Sequence, residues 1–396
     1  MPEKMRAHAP IRHIWRGVPL LLCLLLITLP AAAAQTEIKE PTMAAERQIE
    51  EQMEALGRDE VMALVPPEAR QMMEESGVYE MGVQNLLQLS PGRFFAAVWQ
   101  LLRVEINRPI AMLGGILGII LLSVLLKGVG EAADGDLTPV FGVVSVLCAV
   151  LALLRPILDR ILEAVAAIQE TSLFMFTFVP VFSGALMAAG QPITGATYNM
   201  FLFSACQAVA QVASRTLVPL LGMYLALCLA GALSPESNIT AGAAVIKNVV
   251  TWALGLMLTV FVALLSVQSM VSVGADSAAT KTAKFLLGSF VPVVGSVLSE
   301  AFHAAQGCLK LIKTSVGAYG AAVALFTFVP VFLRTLVWYM VTSLGVVLSD
   351  MAGTVAISAA VRACATVLGL LMAIILCYGL LLIVSITIVM VTSLGA

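Results

Sequence analysis

The segment Leu286–Val297, LLGSFVPVVGSV, is a hydrophobic stretch interrupted by Gly288, Pro292 and Gly295. Proline removes a backbone hydrogen bond from a helix and glycine weakens it, so this stretch predicts a broken membrane helix. Its central element, Phe-Val-Pro-Val at 290–293, occurs again at 178–181 and at 328–331. A looser form, Leu-Val-Pro-Leu, occurs at 217–220.

The spacing of these elements predicts a duplicated unit. The interval from Pro180 to Pro219 matches the interval from Pro292 to Pro330 to within one position. A third pair, Leu-Gly-Leu-Met at 254–257 and Leu-Gly-Leu-Leu at 368–371, continues the two series at nearly the same offset. Such self-similarity favours two membrane repeats, 171–275 and 276–396. The alternative is chance recurrence of common apolar residues.

The composition predicts an all-α polytopic membrane protein. Hydrophobic residues make up 60% of the chain, charged residues make up 12%, and the mean hydropathy is +0.98. Several apolar runs exceed the roughly 20 residues that a helix needs to cross a bilayer. No basic cluster follows the segment 1–16, which argues against nucleic acid as a partner.

The N-terminal region 1–107 predicts a leader and an exported segment. Residues 1–34 combine a basic start, a short apolar run and an Ala-x-Ala site, the pattern of a cleaved signal peptide. An uncleaved anchor is the alternative. Residues 35–107 form a predicted acidic helical segment, in which Pro67 starts a short helix and 93–106 is an interfacial helix.

About eight membrane spans are expected after the leader. Region 108–170 should hold two of them, near 109–126 and 138–154, followed by an amphipathic surface helix at 155–170. The other six are expected near 172–190, 201–232, 248–270, 285–299, 316–348 and 364–393. The long spans 201–232 and 316–348 contain Pro219 and Pro330, so each is either bent or extended along the interface.

Three spans in each repeat would place the second repeat upside down relative to the first. Inverted repeats with broken helices are a recurrent plan of transporters. The hinges of such a core would be Pro180, Pro219, Pro292, Pro330, Gly288 and Gly295. Proline and glycine are also common in membrane helices generally, which is the simpler explanation. Basic residues divide almost evenly between the predicted loops, so the orientation stays open.

Two charged groups are predicted at membrane depth. Arg215 and Arg334 each lie one helical turn from a proline, and no acidic partner is expected near them in the lipid. Each would contact a partner subunit, a lumen or, by snorkelling, the lipid headgroups.

A short charged connector is predicted at 274–284, between the repeats. Asp276 would cap a helix that begins there, or would pair with Lys281 or Lys284. A contact with a cytoplasmic partner is the second interpretation of these three residues.

Nothing in the sequence predicts an enzyme. The seven cysteines form no Cys-x-x-Cys pair, and His303 is the only histidine after the leader. The motifs of metalloproteases, P-loop nucleotidases and serine hydrolases are absent from the sequence. We therefore expect no catalytic residue, no cofactor and no metal site.

The residues from 276 to 300, D-x4-K-x2-KF-x4-FVPVVG-x3-SE, resemble those of the stage III sporulation protein AE family of endospore-forming bacteria. The leader, the Arg-Phe-Phe segment at 93–95 and Phe261-x4-Ser266-x-Gln268 support the resemblance, which extends over about 80–396.

This resemblance implies a multi-pass protein of the mother-cell membrane around the forespore. It implies a subunit of a secretion-like channel that is needed for late forespore development. The implied partners are membrane lipid, other subunits of the complex, an operon-encoded ATPase and an Oxa1/YidC-type insertase. Two other functions stay open: a secondary transporter built on the inverted repeat, and a non-conducting scaffold.

Overall fold

A computed structural model describes residue 54 and residues 58–76, 91–132, 138–233, 239–290 and 295–392. Over these residues the chain is helical and has no β-strand, in agreement with the predicted fold class. The helices are α1 Arg58–Ala63, α2 Pro67–Ser76, α3 Pro91–Glu105, α4 Asn107–Ala132, α5 Thr138–Ala188, α6 Pro192–Val212, α7 Val218–Leu233, α8 Ile239–Phe290, α9 Gly295–Met351 and α10 Val355–Thr392. The predicted leader lies outside the described residues.

Six helical segments of the described chain are long and apolar enough to cross a membrane. They are Gly92–Gly128, Gly142–Ala188, Pro192–Leu233, Ala241–Gln268, Thr314–Met351 and Val355–Ile388. The predicted count of eight is therefore not confirmed. The predicted span at 285–299 includes residues 291–294, which lie outside the described part, so Pro292 has no assigned position.

Helix α5 explains one difference between the predicted and observed spans. The stretch at 155–170, predicted as a separate surface helix, is the middle of this single 51-residue helix. Ile157 and Ile168 are fully buried there, because the apolar face of the stretch packs against neighbouring helices instead of lipid. At about 1.5 Å per residue, α5 is about 76 Å long, more than twice the roughly 30 Å of a bilayer core.

Pro219 lies just after a π-helical turn, Ala213–Leu217, which joins α6 to α7. In a regular α-helix the ring of Pro219 would clash with the carbonyl of Arg215, and that carbonyl would lack its donor. The wider turn relieves this conflict, and the N–H of Val218 donates to the carbonyl of Ala213. The segment 201–232, predicted as either bent or extended along the interface, is thus a continuous run of helix with a π-turn just before Pro219.

Helices α9 and α10 form the centre of the bundle. Their most apolar windows are 78% and 72% buried, whereas those of the other four candidate spans are 22–33% buried. The α9–α10 hairpin packs against α5, and α4 lies along α5 and α9. Helices α7 and α8 lie against α10. Pro330 is inside α9 and Pro180 is inside α5, and both helices continue through their prolines.

The hairpins α5–α6 and α9–α10 are closed by the same type of turn. Gly190 and Gly353 have positive φ angles of 82° and 70°, which L-residues with side chains rarely adopt. In each turn the residue after the glycine donates its N–H back to a carbonyl of the last helical turn, Gln191 to Leu186 and Thr354 to Ser349, as in a Schellman motif. The same heptapeptide, Phe-Thr-Phe-Val-Pro-Val-Phe, precedes both turns, at 176–182 and at 326–332.

Helix α8 corrects the predicted connector between the repeats. Residues 274–284 are part of α8 and do not form a loop, so Asp276 does not start a helix of its own. The predicted domain boundaries after 170 and 275 both fall within helices. The inverted repeat stays a prediction.

Candidate functional site

One guanidinium binds carboxylates from three different helices beside the core. Arg334 Nη1 donates to Glu68 Oε1 and to Glu163 Oε1, each at 2.7 Å, and Arg334 Nε lies 3.2 Å from Glu105 Oε1. Arg160 forms a second ion pair with Glu163. We call these five residues the Arg334 cluster.

The packing of apolar faces brings the Arg334 cluster together. Ala69, Met72 and Met73 are the buried face of α2, which packs on α9 and places Glu68 beside it. On α3, the ring of Phe94 lies 5.9 Å from the ring of Phe326, an edge-to-face contact on α9. Helix α3 runs along α9 from this contact and delivers Glu105 to Arg334.

The expectation that Arg334 lacks an acidic partner is wrong. Two of its carboxylates, Glu68 and Glu105, belong to the predicted exported segment, and the third belongs to the stretch predicted as a surface helix. None of them lies near Arg334 in sequence, so no local pattern signals the contact. A planar guanidinium can serve several carboxylates at once, and it joins α2, α3 and α5 to the central helix α9.

Asp276 binds the N-terminus of another helix. Its two carboxylate oxygens accept hydrogen bonds from the N–H groups of Ile193 and Thr194, at 3.0 and 2.8 Å. These are N–H groups of the first turn of α6, whose own N-cap residue, Gln191, makes no side-chain cap bond. The buried carboxylate of α8 therefore supplies the cap and also the negative charge that a helix N-terminus favours.

Phe261 and Gln268, two other residues of α8 that support the family resemblance, also contact α6. Gln268 Nε2 donates to the Thr197 carbonyl at 3.0 Å, and the rings of Phe261 and Phe201 are 6.3 Å apart. Phe261, Gln268 and Asp276 are each about two helical turns apart, which places them on one face of a helix. These three residues thus lie in the contact surface between α8 and α6, which we call the α6–α8 seam.

An open apolar groove runs along the outside of the α6–α8 seam. Its lining combines apolar side chains with small and polar ones: Thr197, Met200, Phe201, Ser204, Ala263, Leu264, Val267 and Gln268. Gln268 hydrogen-bonds across the seam, whereas the hydroxyls of Thr197 and Ser204 donate to carbonyls of α6 itself.

The other charged residues and glycines of the predicted sites lie on the π-turn and on helices α8 and α9. Arg215 lies exposed on the π-turn, and the backbone of Lys281 and Lys284 continues α8. Gly288 is in the last turn of α8 and Gly295 is the first residue of α9.

Residues 75–393 match the family model for stage III sporulation protein AE. The chain belongs to this family. A relative from Bacillus subtilis (strain 168), named stage III sporulation protein AE, is 25% identical over 160 residues, which is 40% of each chain. No solved structure matches the chain.

The family match includes most of the site. Glu105, Glu163, Asp276 and Arg334 lie within it, whereas Glu68 precedes it. The residues that match the family model therefore include most of the Arg334 cluster and the Asp276 cap. The contact made by Glu68 of α2 lies outside the matched residues.

Proposed function

We propose that this protein is a membrane subunit of a channel-like or secretion-like complex that links the mother cell and the forespore during sporulation. It would lie in the mother-cell membrane around the forespore and would be needed for late forespore development. Membership of the sporulation family and six apolar helices of spanning length support this proposal.

The contacts of two charged residues, Arg334 and Asp276, favour an assembly subunit over an ion-coupled carrier. Arg334 is occupied by carboxylates of its own chain, and Asp276 is occupied by the first turn of α6. Both groups hold helices together, so neither is presented to a transported ion. A protein of this kind acts through its shape and through its partners.

The proposed partners follow from the family. They are membrane lipid, the other subunits of the complex, an operon-encoded ATPase that would supply energy, and an Oxa1/YidC-type insertase. No enzymatic activity of this chain is needed in the proposed role.

Affinity purification of the full-length protein from sporulating cells tests the complex. We expect the operon-encoded ATPase and other subunits to copurify, and loss of the protein to stop late forespore gene expression. A protein that purifies alone, in cells that complete forespore gene expression without it, contradicts the proposal.

A non-conducting scaffold is the second candidate, because the Arg334 cluster anchors peripheral helices to the core. Cysteine labelling along 172–190 in the assembled membrane separates the two functions. A stripe of positions reached by water-soluble reagent from both sides supports a conduit. Uniform protection supports a scaffold.

A further inference from the structure

Arg215 is the only charged residue in the apolar helical run from Pro192 to Leu233. Its side chain is exposed on the π-turn between α6 and α7. Among the described residues, no carboxylate lies within ion-pair distance of it. An exposed cation on an apolar helix of spanning length needs water or an anion from outside the chain.

A second donor lies about one helical turn before Arg215. Gln211 is exposed on α6, and its side chain has no hydrogen-bond partner among the described residues. Helical side chains lean toward the N-terminus of their helix, so the guanidinium of Arg215 leans toward Gln211. A guanidinium and an amide on one face can donate to the same anion, and the oxygens of a phosphate accept several such bonds.

The same face of α6 leads from these two donors into the open groove at the α6–α8 seam. The positions on this face recur at steps of three and four residues, at 197, 201, 204, 208, 211 and 215. The groove is lined on this helix by Thr197, Phe201 and Ser204, and its volume is about 660 Å³. This volume is within the range of small-molecule sites in proteins.

The distances along α6 fit one phospholipid. The helix from Gln211 to Ser204, at the near end of the groove, is about 10 Å long, and from Gln211 to Thr197, at the far end, it is about 21 Å long. One leaflet of hydrocarbon is about 15 Å thick, half of the roughly 30 Å core. A phosphate bound by Gln211 and Arg215 would therefore place the end of its acyl chain in the groove.

The surroundings of the groove favour a hydrocarbon chain. Helix α6 has no charged residue from 192 to 214, and α8 has none from 248 to 275. Met200 and Val267 are exposed at the groove, and the charged helix α2 packs elsewhere, on α9 and α3. A phospholipid supplies the anion and the apolar chain in one molecule. A partner helix would have to bring both a carboxylate and an apolar face.

We propose that the outer face of α6 binds one phospholipid, with its phosphate on Arg215 and Gln211 and an acyl chain in the groove of the α6–α8 seam. The lipid would contact both of the helices that Asp276 joins. This binding site does not depend on whether the protein is a conduit or a scaffold.

Native mass spectrometry of the full-length protein in detergent, with added phosphatidylglycerol, tests the site. We expect the wild type to retain one lipid. Arg215→Gln should weaken this retention about tenfold, as expected for the loss of a charge-assisted hydrogen bond, and Arg215→Lys should weaken it less. The control is Arg155→Gln, which removes an exposed cation of α5 and should retain lipid as the wild type does. Equal retention by Arg215→Gln and Arg155→Gln would overturn the proposal.

Photolabelling distinguishes a bound lipid from bulk lipid and from a protein that covers the groove. The probe is phosphatidylglycerol with a diazirine near the end of one acyl chain, in vesicles of phosphatidylethanolamine and phosphatidylglycerol. We expect adducts in 197–204 and 263–268, and these should decrease in Arg215→Gln. They should also decrease in Ser204→Phe, which fills the groove and leaves the phosphate donors in place. Adducts in the exposed segment 173–176 of α5, outside the groove, should stay unchanged.

Two results of the photolabelling would contradict the proposal. Groove adducts of equal yield in the wild type and in Arg215→Gln would show that the groove contains only bulk lipid. Adducts in 173–176 without any in the groove would show that protein covers it.

Discussion

Arg334 Nη1 lies 2.7 Å from Glu68 Oε1, a contact that joins α9 to α2 across 266 residues of sequence. The same nitrogen binds Glu163, and Arg334 Nε lies close to Glu105. One side chain therefore connects the N-terminal helices to the centre of the membrane body. Loss of this side chain should therefore weaken the packing of the N-terminal helices and of the central helices.

Removal of Arg334 should destabilise the protein strongly. Arg334→Ala leaves three carboxylates close together without their shared cation, and the side chain that is lost is only 20% exposed. We expect a loss of about 2 kcal/mol, below the value for a fully buried pair because Glu68 is 38% exposed. The measurement is the apparent midpoint of thermal unfolding in detergent.

Matched variants separate charge from geometry at this site. Arg334→Lys keeps the charge but loses the planar guanidinium. Its midpoint of thermal unfolding should therefore lie between those of the wild type and Arg334→Ala. Glu68→Gln should cost only about 0.5 kcal/mol because that carboxylate is partly solvated. The exposed pair of Arg362 and Asp350 is the control, and Arg362→Gln should have little effect. An Arg334→Ala midpoint equal to that of Arg362→Gln would show that the cluster is not stabilising.

Asp276→Ala should release the first turn of α6. The substitution leaves the N–H groups of Ile193 and Thr194 without their acceptor. We expect a loss of about 1–2 kcal/mol, and Asp276→Asn should retain part of the cap because asparagine also caps helices. Hydrogen exchange should accelerate at 193–195 and stay unchanged in the α9–α10 turn. Unchanged exchange at 193–195 in Asp276→Ala would rule out the capping role.

Local patterns in the sequence predicted helices better than they predicted contacts. The start of α2 at Pro67 and the helix around 93–106 follow from proline position and from apolar spacing, and both are confirmed. The continuity of α5 was not predictable in this way. Charges at 155–170 indicate a surface, but Glu163 faces Arg334 and not water. Hydropathy does not distinguish a charge that faces solvent from a charge that is paired within the bundle.

The contacts of the candidate site depend on residues that are distant in sequence. Arg334 and Glu163 are 171 residues apart, and Asp276 is 82 residues from Thr194. The spacing of short Phe-Val-Pro-Val elements favoured a repeat that pairs Pro180 with Pro292. The identical heptapeptides at 176–182 and 326–332 lie in the first helices of two hairpins with the same closing turn, but at different distances from that turn, and the predicted repeat stays a prediction.

Gly320 should not tolerate a side chain while Phe178 is present. A methyl group at Gly320 would lie 2.1 Å from the Cζ atom of Phe178, which is fully buried. The ring cannot move aside easily, because it stacks between Phe174 and Phe182 with centroid distances of 5.4 and 5.6 Å. We expect Gly320→Ala to cost about 1–3 kcal/mol in thermal unfolding measurements.

A double-mutant cycle tests the contact between Gly320 and Phe178. Phe178→Leu removes part of the ring volume, so the double variant should be more stable than the sum of the two single losses predicts. Gly114→Ala is the control, because a methyl group there meets no atom within 4 Å. Strict additivity of Gly320→Ala and Phe178→Leu would show that the two residues do not compete for space.

Gly353 offers a test of backbone conformation without packing effects. Its φ is +70°, and a methyl group at this position would meet no atom within 4 Å. Gly353→Ala should therefore lose about 1 kcal/mol through backbone strain alone, and Gly353→Asn should lose less because asparagine adopts the left-handed region more readily. Thermal unfolding of both variants checks the order. Since this turn joins the two central helices, equal stability of the alanine and asparagine variants would mean that the α9–α10 hairpin does not require a left-handed residue at 353.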